Sequence, residues 1–193
     1  MHQVSQTAFV LQEGNFKVAS GCQLLDDRAQ EVIKLPPFMP AEIERKFLLR
    51  SDSWRAHVSQ SLRITQGYLS RDLERTVRVR ISGEQAWMTI KGKTKGISRS
   101  EIEFPLPVET AQELIPLCFQ PLIDKTRHIV LHEGSRWEID EFHGANAGLI
   151  VAEIELPSEE TVFARPEWLG DEVSHDFRYS NASLSERPFG EWV

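Results

Sequence analysis

From residue 41 onward, hydrophobic and charged residues alternate with a spacing of two, segment after segment. Successive side chains on a β-strand point to opposite faces, so this period predicts strands with one apolar and one charged face. EIERKFLL (42–49) sets Glu42, Glu44 and Lys46 on one face and Ile43, Arg45 and Phe47 on the other. ERTVRVRI (74–81) sets Arg78 and Arg80 against Val77, Val79 and Ile81, and AWMTIK (86–91) places Lys91 with Thr89 and Trp87. RSEIEFPLP (99–107) groups Arg99, Glu101 and Glu103 opposite Ile102 and Phe104, and LIDKTRHIVLH (122–132) pairs Lys125 with Arg127. SRWEIDEF (135–142) pairs Glu138 with Asp140, and LIVAEIEL (149–156) pairs Glu153 with Glu155. With ITQGYLS (64–70) this makes about eight strands.

Turn signals separate them at Arg71–Asp72, at SGEQ (82–85), at Glu133–Gly134 and in HGANAG. Short helices are expected at SWRAHVSQ (53–60), at ETAQELIPLC (109–118) up to Pro116, and in the tail 171–188. SEETVFARPEWLG (158–170) reads as another, behind a Ser158 cap. Eight antiparallel strands close into a barrel whose interior holds one small ligand. The expected class is therefore α+β but mostly β, an eight-stranded antiparallel closed barrel with a few short flanking helices.

Composition narrows the class. The chain has 193 residues, 40% hydrophobic and 26% charged, the make-up of a globular protein. A net charge of −7 argues against general attraction to nucleic acid or anionic lipid. Two distant cysteines, Cys22 and Cys118, form neither a disulfide framework nor a zinc-ligand spacing. No basic leader and no apolar run of membrane-spanning length is seen, so a cytoplasmic protein is expected, monomer or homodimer, without nucleic-acid or membrane partners. Residues 1–38 show no sustained period and end in KLPPF. They are expected to be an extension outside the fold, with residues 39–193 forming the domain.

The charges change the picture further. Acidic doublets and basic doublets sit on different strands, and directly adjacent like charges repel unless something neutralises them. A divalent metal would neutralise the carboxylates, and a phosphate chain the arginines and lysines. Other signals are weaker. GKT (92–94) is no phosphate-binding loop, because Trp87 stands where the required glycine would be. His128 and His132 suggest no third ligand, the tryptophans read as packing residues, RYSN (178–181) as structural closure and Cys118 as buried filler.

EIERKF also resembles the E-x-E-x-K signature of the CYTH superfamily, the triphosphate tunnel metalloenzymes. The likeness runs through QGYLS, ERTVRVR, TIKG, Arg99–Glu103, KTR (125–127), WEIDEF, AEIEL, PEWLG and DFRYSN, in order, across 41–187. The resemblance implies an eight-stranded tunnel lined with charge. It assigns Glu42, Glu44, Glu153 and Glu155 to a divalent metal, Mg²⁺ or Mn²⁺, and adds Asp140, with Glu101 and Glu103 as further acidic lining. It assigns Arg78, Arg80, Lys91, Arg99, Lys125 and Arg127 to a phosphate cradle. Lys46 is expected to orient and deprotonate the attacking water, its pKa lowered among cations and metal. Tyr68 is expected to hold Lys46 if their strands are neighbours. The implied reaction is hydrolysis of a small triphosphate, first of all tripolyphosphate to pyrophosphate and phosphate. A nucleotide or thiamine triphosphatase, a class IV-type adenylate cyclase, and a binding module without turnover stand as alternatives.

Overall fold

The computed structural model describes residues 9–12, 15–18, 41–72, 74–93 and 98–192. The chain divides into two compact units, 1–38 and 39–193. Within the first, β1 (Phe9–Gln12) and β2 (Asn15–Val18) pair as an antiparallel hairpin. Cys22 and KLPPF lie outside the described residues.

The second unit carries β3 (Ala41–Leu49), β4 (Val58–Ser70), β5 (Arg75–Ser82), β6 (Gln85–Gly92), β7 (Ser98–Leu106), β8 (Ile123–His132), β9 (Ser135–Phe142) and β10 (Ile150–Glu155). Neighbours are antiparallel throughout, in the order β10-β9-β8-β4-β5-β6-β7-β3, and β3 pairs with β10 as well. The ladder thus returns to its start and curls the sheet into a barrel. Among the described residues β3 meets β7 at Ala41–Ile43, against Ser98–Ser100. Further along that edge of β3, the strand β11 (Leu169–Glu172) takes over as partner.

Alternation sorts the side chains by face, as the sequence pattern requires. Phe47, Trp137, Ile139, Ala152 and Ile154 turn outward and pack under Trp54, Trp168 and Leu169. Trp137 meets Phe47, Phe163 and Trp168 edge-on at centroid distances of 5.8, 5.6 and 5.4 Å. On the far wall, α1 (Val108–Leu114) covers Val79 and Ala86 with Ala111, and Cys118 packs beside them as a free buried thiol. At one end of the barrel, Tyr68, Ile123, Phe142 and Val151 form an apolar floor closed by Leu184 of α2 (Asn181–Glu186).

Two expected helices are corrected. Residues 158–170 form two separate turns, in which Thr161 N–H bonds to Ser158 C=O at 3.2 Å and Leu169 N–H to Pro166 C=O at 3.1 Å, joined by irregular chain that leads into β11. Pro166 disfavours helical backbone at Arg165 and lacks the amide a helix would need. Phe163 instead packs onto the outer core. Residues 53–60 form a 3₁₀ turn over Ser53–His57, and Val58 already begins β4. The first half of β4 has mostly exposed Ser, Gln and Arg, so the hydrophobic period is too faint there to announce a strand.

Gly67 explains part of the QGYLS stretch. A Cβ built there would stand 2.5 Å from Cys118 Cβ and 2.8 Å from Leu122 Cδ2, both fixed by packing. Gly67→Ala is therefore expected to destabilise the fold by about 1–3 kcal/mol, the usual cost of overpacking. Urea unfolding measures this, and an unchanged midpoint would show that the segment after α1 yields freely.

Candidate active site

The inward face of the barrel carries the charged doublets around a cavity of about 1290 Å³. Register builds its acidic wall. Across β3 and β10, Glu44 lies opposite Glu155 and Lys46 opposite Glu153, while Glu153 also lies opposite Glu138 of β9. Lys46 Nζ donates to both Glu44 and Glu153. Glu155 is exposed to the cavity and has no ion pair among the described residues. The side chains of Glu42 and Arg99 lie outside what is described, and their backbones sit in register with each other.

The basic wall comes from β5, β6 and β8. Arg78 donates to Thr89 Oγ1 at 3.0 Å, and Arg80 donates to both oxygens of Glu103 at 3.1 Å. Lys91 pairs with Glu101 at 2.8 Å. Arg127 Nε donates to Asp140 Oδ1 at 2.7 Å, and its Nη2 to Asp140 Oδ2 at 2.6 Å and Glu153 Oε2 at 2.8 Å. Lys125 Nζ donates to the same Asp140. Asp140 is fully buried and engaged by two cations, a position behind the cradle from which it fixes their side chains. Tyr68 lines the cavity, but β4 pairs with β5 and β8 whereas β3 pairs with β10, β7 and β11. Tyr68 and Lys46 therefore come from strands that are not paired and face one cavity, and Gln66 Nε2 donates to the Tyr68 hydroxyl at 3.4 Å.

Electrostatics bears on the role of Lys46. Burial by itself would lower the Lys46 ammonium, but Glu153 and then Glu44 hold it well above its ordinary value. With no metal on these carboxylates Lys46 is held as an ammonium, whereas the lowering expected above belongs to a lysine among cations and metal. Burial, followed by Asp140 and then Arg127, determines Lys125, which ends below its ordinary value. Burial followed by the neighbouring Arg78 pushes Arg80 down as well, the mark of a crowded cationic wall that an anion would relieve. Burial opposes the charge on Glu153, yet Lys46, Arg127 and Lys125 hold its carboxyl well below the usual range.

The comparisons agree with this geometry. The model of the CYTH domain matches residues 40–189. The chain belongs to the CYTH domain family. An inorganic triphosphatase of Acetivibrio thermocellus is 43% identical over 152 residues, 78% of this chain and 97% of that protein. One from Nitrosomonas europaea is 34% identical over 149 residues, 75% and 96% of the two chains. A crystal structure of the inorganic triphosphatase NE1496 superposes with a TM-score of 0.56 at 31% identity, covering 75% of this chain and 93% of that one.

In this CYTH domain the structure brings Glu44, Lys46, Tyr68, Arg78, Arg80, Lys91, Lys125, Arg127, Glu153 and Glu155 to one cavity. Gln66, Glu138 and Asn181 join them without having been singled out as site residues. Gln66 is two residues from Tyr68 and Glu138 two from Asp140, so strand alternation alone would have found both. Asn181, whose Oδ1 accepts from Lys125 at 3.4 Å, arrives from the C-terminal segment and carries no periodic signal. Among the described residues no helix is long and apolar enough to cross a membrane.

The donor set fits a hard divalent ion. Glu44 and Glu155 are like charges in direct cross-strand register, an unfavourable pair unless a cation lies between them. Among the described residues no three carboxylates cluster as a ready-made cage. One or two carboxylates completed by phosphate oxygens is the usual arrangement for Mg²⁺.

The ion-pair network makes stability depend on pH. The folded pKa of Glu153 lies below its ordinary 4.5 and that of Asp140 below 3.8, so their contribution is present above those values and lost as pH falls through the folded ones. Lys46 is raised above 10.5, so its contribution is present below that and fades only beyond it. In chelator, Tm should be level around neutrality and drop as pH falls below about 4. Glu153→Gln should lower stability at pH 7 by about 1.5–3 kcal/mol and flatten the acid limb, because Lys46 and Arg127 each lose one of their carboxylate partners. An acid limb identical in the variant would show that the network does not set stability.

Proposed function

We propose that this CYTH domain, residues 39–193, hydrolyses inorganic tripolyphosphate to pyrophosphate and phosphate with a divalent cation, Mg²⁺ or Mn²⁺, in the cytoplasm, and that residues 1–38 are an extension to it. The observation that carries this reading is the meeting of an acidic wall (Glu44, Glu153, Glu155) and a basic wall (Arg78, Arg80, Lys91, Lys125, Arg127) around one cavity. The two relatives named inorganic triphosphatases, aligned over nearly their whole length, support the choice of substrate.

Phosphoryl transfer is mostly positioning and charge neutralisation. Arg78, Arg80, Lys91, Lys125 and Arg127, together with Arg99 by its register position, would hold the phosphate oxygens. The arginines offer bidentate forks and the lysines point charges. Asp140 keeps Lys125 and Arg127 aimed, because its oxygens fix their nitrogens from behind. Glu42, Glu44, Glu153 and Glu155 would hold the ion, which supplies Lewis-acid stabilisation of charge developing on the phosphate oxygens. Lys46 remains an ammonium on this wall and acts as a clamp and charge stabiliser, not as the base. Tyr68 presents its hydroxyl to the same cavity as a donor to a bound phosphate oxygen.

Phosphate release from tripolyphosphate, ATP and thiamine triphosphate, each with Mg²⁺ and with Mn²⁺, tests the proposal. Tripolyphosphate should be turned over fastest, with full loss in excess chelator; equal or faster release from ATP would transfer the site to nucleotides. Glu155→Gln should depress kcat severely while leaving Tm nearly unchanged, since its carboxylate supports no ion pair among the described residues. Arg80→Ala should raise KM for tripolyphosphate about ten- to a hundredfold, the loss of a charge-assisted contact. Lys46→Met should keep the alkaline limb of its pH–rate profile at the midpoint of the parent. Disappearance of that limb would restore Lys46 as general base.

A further inference from the structure

One end of the barrel interior carries the apolar floor, and β9 records the passage from that floor to solvent. Its inward positions run Phe142, Asp140, Glu138, Arg136 from the apolar floor to the rim. Side-chain exposure rises from 0% at Asp140 through 22% at Glu138 to 55% at Arg136. On β8 the inward residue opposite Arg136 is Leu131, 65% exposed, one step from the Glu133–Gly134 turn. A linear anion lying along this wall therefore meets solvent at Arg136.

Arg136 is not an isolated surface charge. Arg127 Nη1 donates to Glu138 Oε2, and Arg136 Nη1 donates to Glu138 Oε1. One carboxylate thus draws two guanidinium groups together, the inner one within the phosphate cradle and the outer one at the rim of the same cavity. Arg136 uses one nitrogen in this bond, and a guanidinium carries five N–H donors in all. The basic wall continues past Arg127 to the mouth, held in line by Glu138.

We infer that the rim forms an additional anion subsite, with Arg136 as its contact, for the outermost phosphoryl group of linear polyphosphates longer than tripolyphosphate. This rests on the proposed reading of the cavity as a phosphate site. Chains of four phosphoryl groups fill the inner cradle and extend their last group to Arg136, while a triphosphate stops short of it. Arg136 thereby sets preference by chain length without taking part in the chemistry.

Calorimetric binding of tripolyphosphate and of tetrapolyphosphate, to the parent and to Arg136→Gln, tests this in the full chain without divalent metal. The ratio of the two dissociation constants is the readout, since it cancels any general change in charge or fold. The variant should shift that ratio against tetrapolyphosphate by about three- to tenfold, the modest range of a partly exposed charge contact. Arg136→Lys should recover part of the shift, because the charge remains. An unchanged ratio, or a parent that binds neither chain, overturns the subsite. Phosphate release on the same samples separates the two readings. Absent turnover with a shifted ratio would sink the triphosphatase reading and leave the subsite standing.

Discussion

Taking a carboxylate, ammonium or guanidinium out of water costs several kcal/mol per ion unless a partner stands at hydrogen-bond distance. This barrel turns its charged face inward, so its interior ions must find their partners there. Asp140 and Lys125 are almost wholly buried, and Glu153 nearly so. Around them runs a continuous chain of pairs: Lys46 with Glu44 and Glu153, Glu153 with Arg127, Arg127 with Asp140, and Asp140 with Lys125. Such a network contributes little net stability compared with an apolar core. What it does supply is a set of fixed charges in a confined space, where electrostatic interactions are stronger than in water. Ligands that bring their own charge exchange partners with this network and need not create the site from solvent.

The fold makes that arrangement affordable by moving its hydrophobic core to the outside of the sheet. Phe47, Trp137 and Ile139 face outward and are covered by Trp54, Trp168 and Leu169, while α1 covers the opposite wall. α2 closes the floor through Leu184. The switch of β3 from β7 to β11 matters in the same way. It keeps the backbone of β3 paired beyond Ile43, and Lys46 N–H and C=O are anchored by Ser174 Oγ and Val173 N–H at 3.0 and 2.8 Å. The strand that carries Glu44 and Lys46 is thus held on both edges.

Much of this was legible in the residues because strand alternation and charge doublets report the same fact twice. Glu44 with Lys46, Arg78 with Arg80, Lys125 with Arg127 and Glu153 with Glu155 each announced a face, and the structure turns all of these faces to one cavity. Three things were not legible. The helix expected over 158–170 followed from Ser158 and the early glutamates, but Arg165–Pro166 and the burial of Phe163 override that local preference. The first half of β4 has too few apolar residues to show a period. The charge state of Lys46 depends on Glu153, which is 107 residues away in sequence and adjacent only because β3 pairs with β10. No local pattern carries that information.

The central claim is that the inward cations, and not those on the outer surface, bind the phosphate chain. Side-chain ¹⁵N NMR of arginine Nε and lysine Nζ, followed while tripolyphosphate is added, observes each group directly. Binding inside the barrel predicts saturable shifts at Arg78, Arg80, Arg127 and Lys125 with a stoichiometry of one. Arg45, Arg55 and Arg178, paired on the outside with Glu172, Glu141 and Asp176, should stay in place. Shifts at the outer arginines with silence at Arg78 and Arg127 would contradict it.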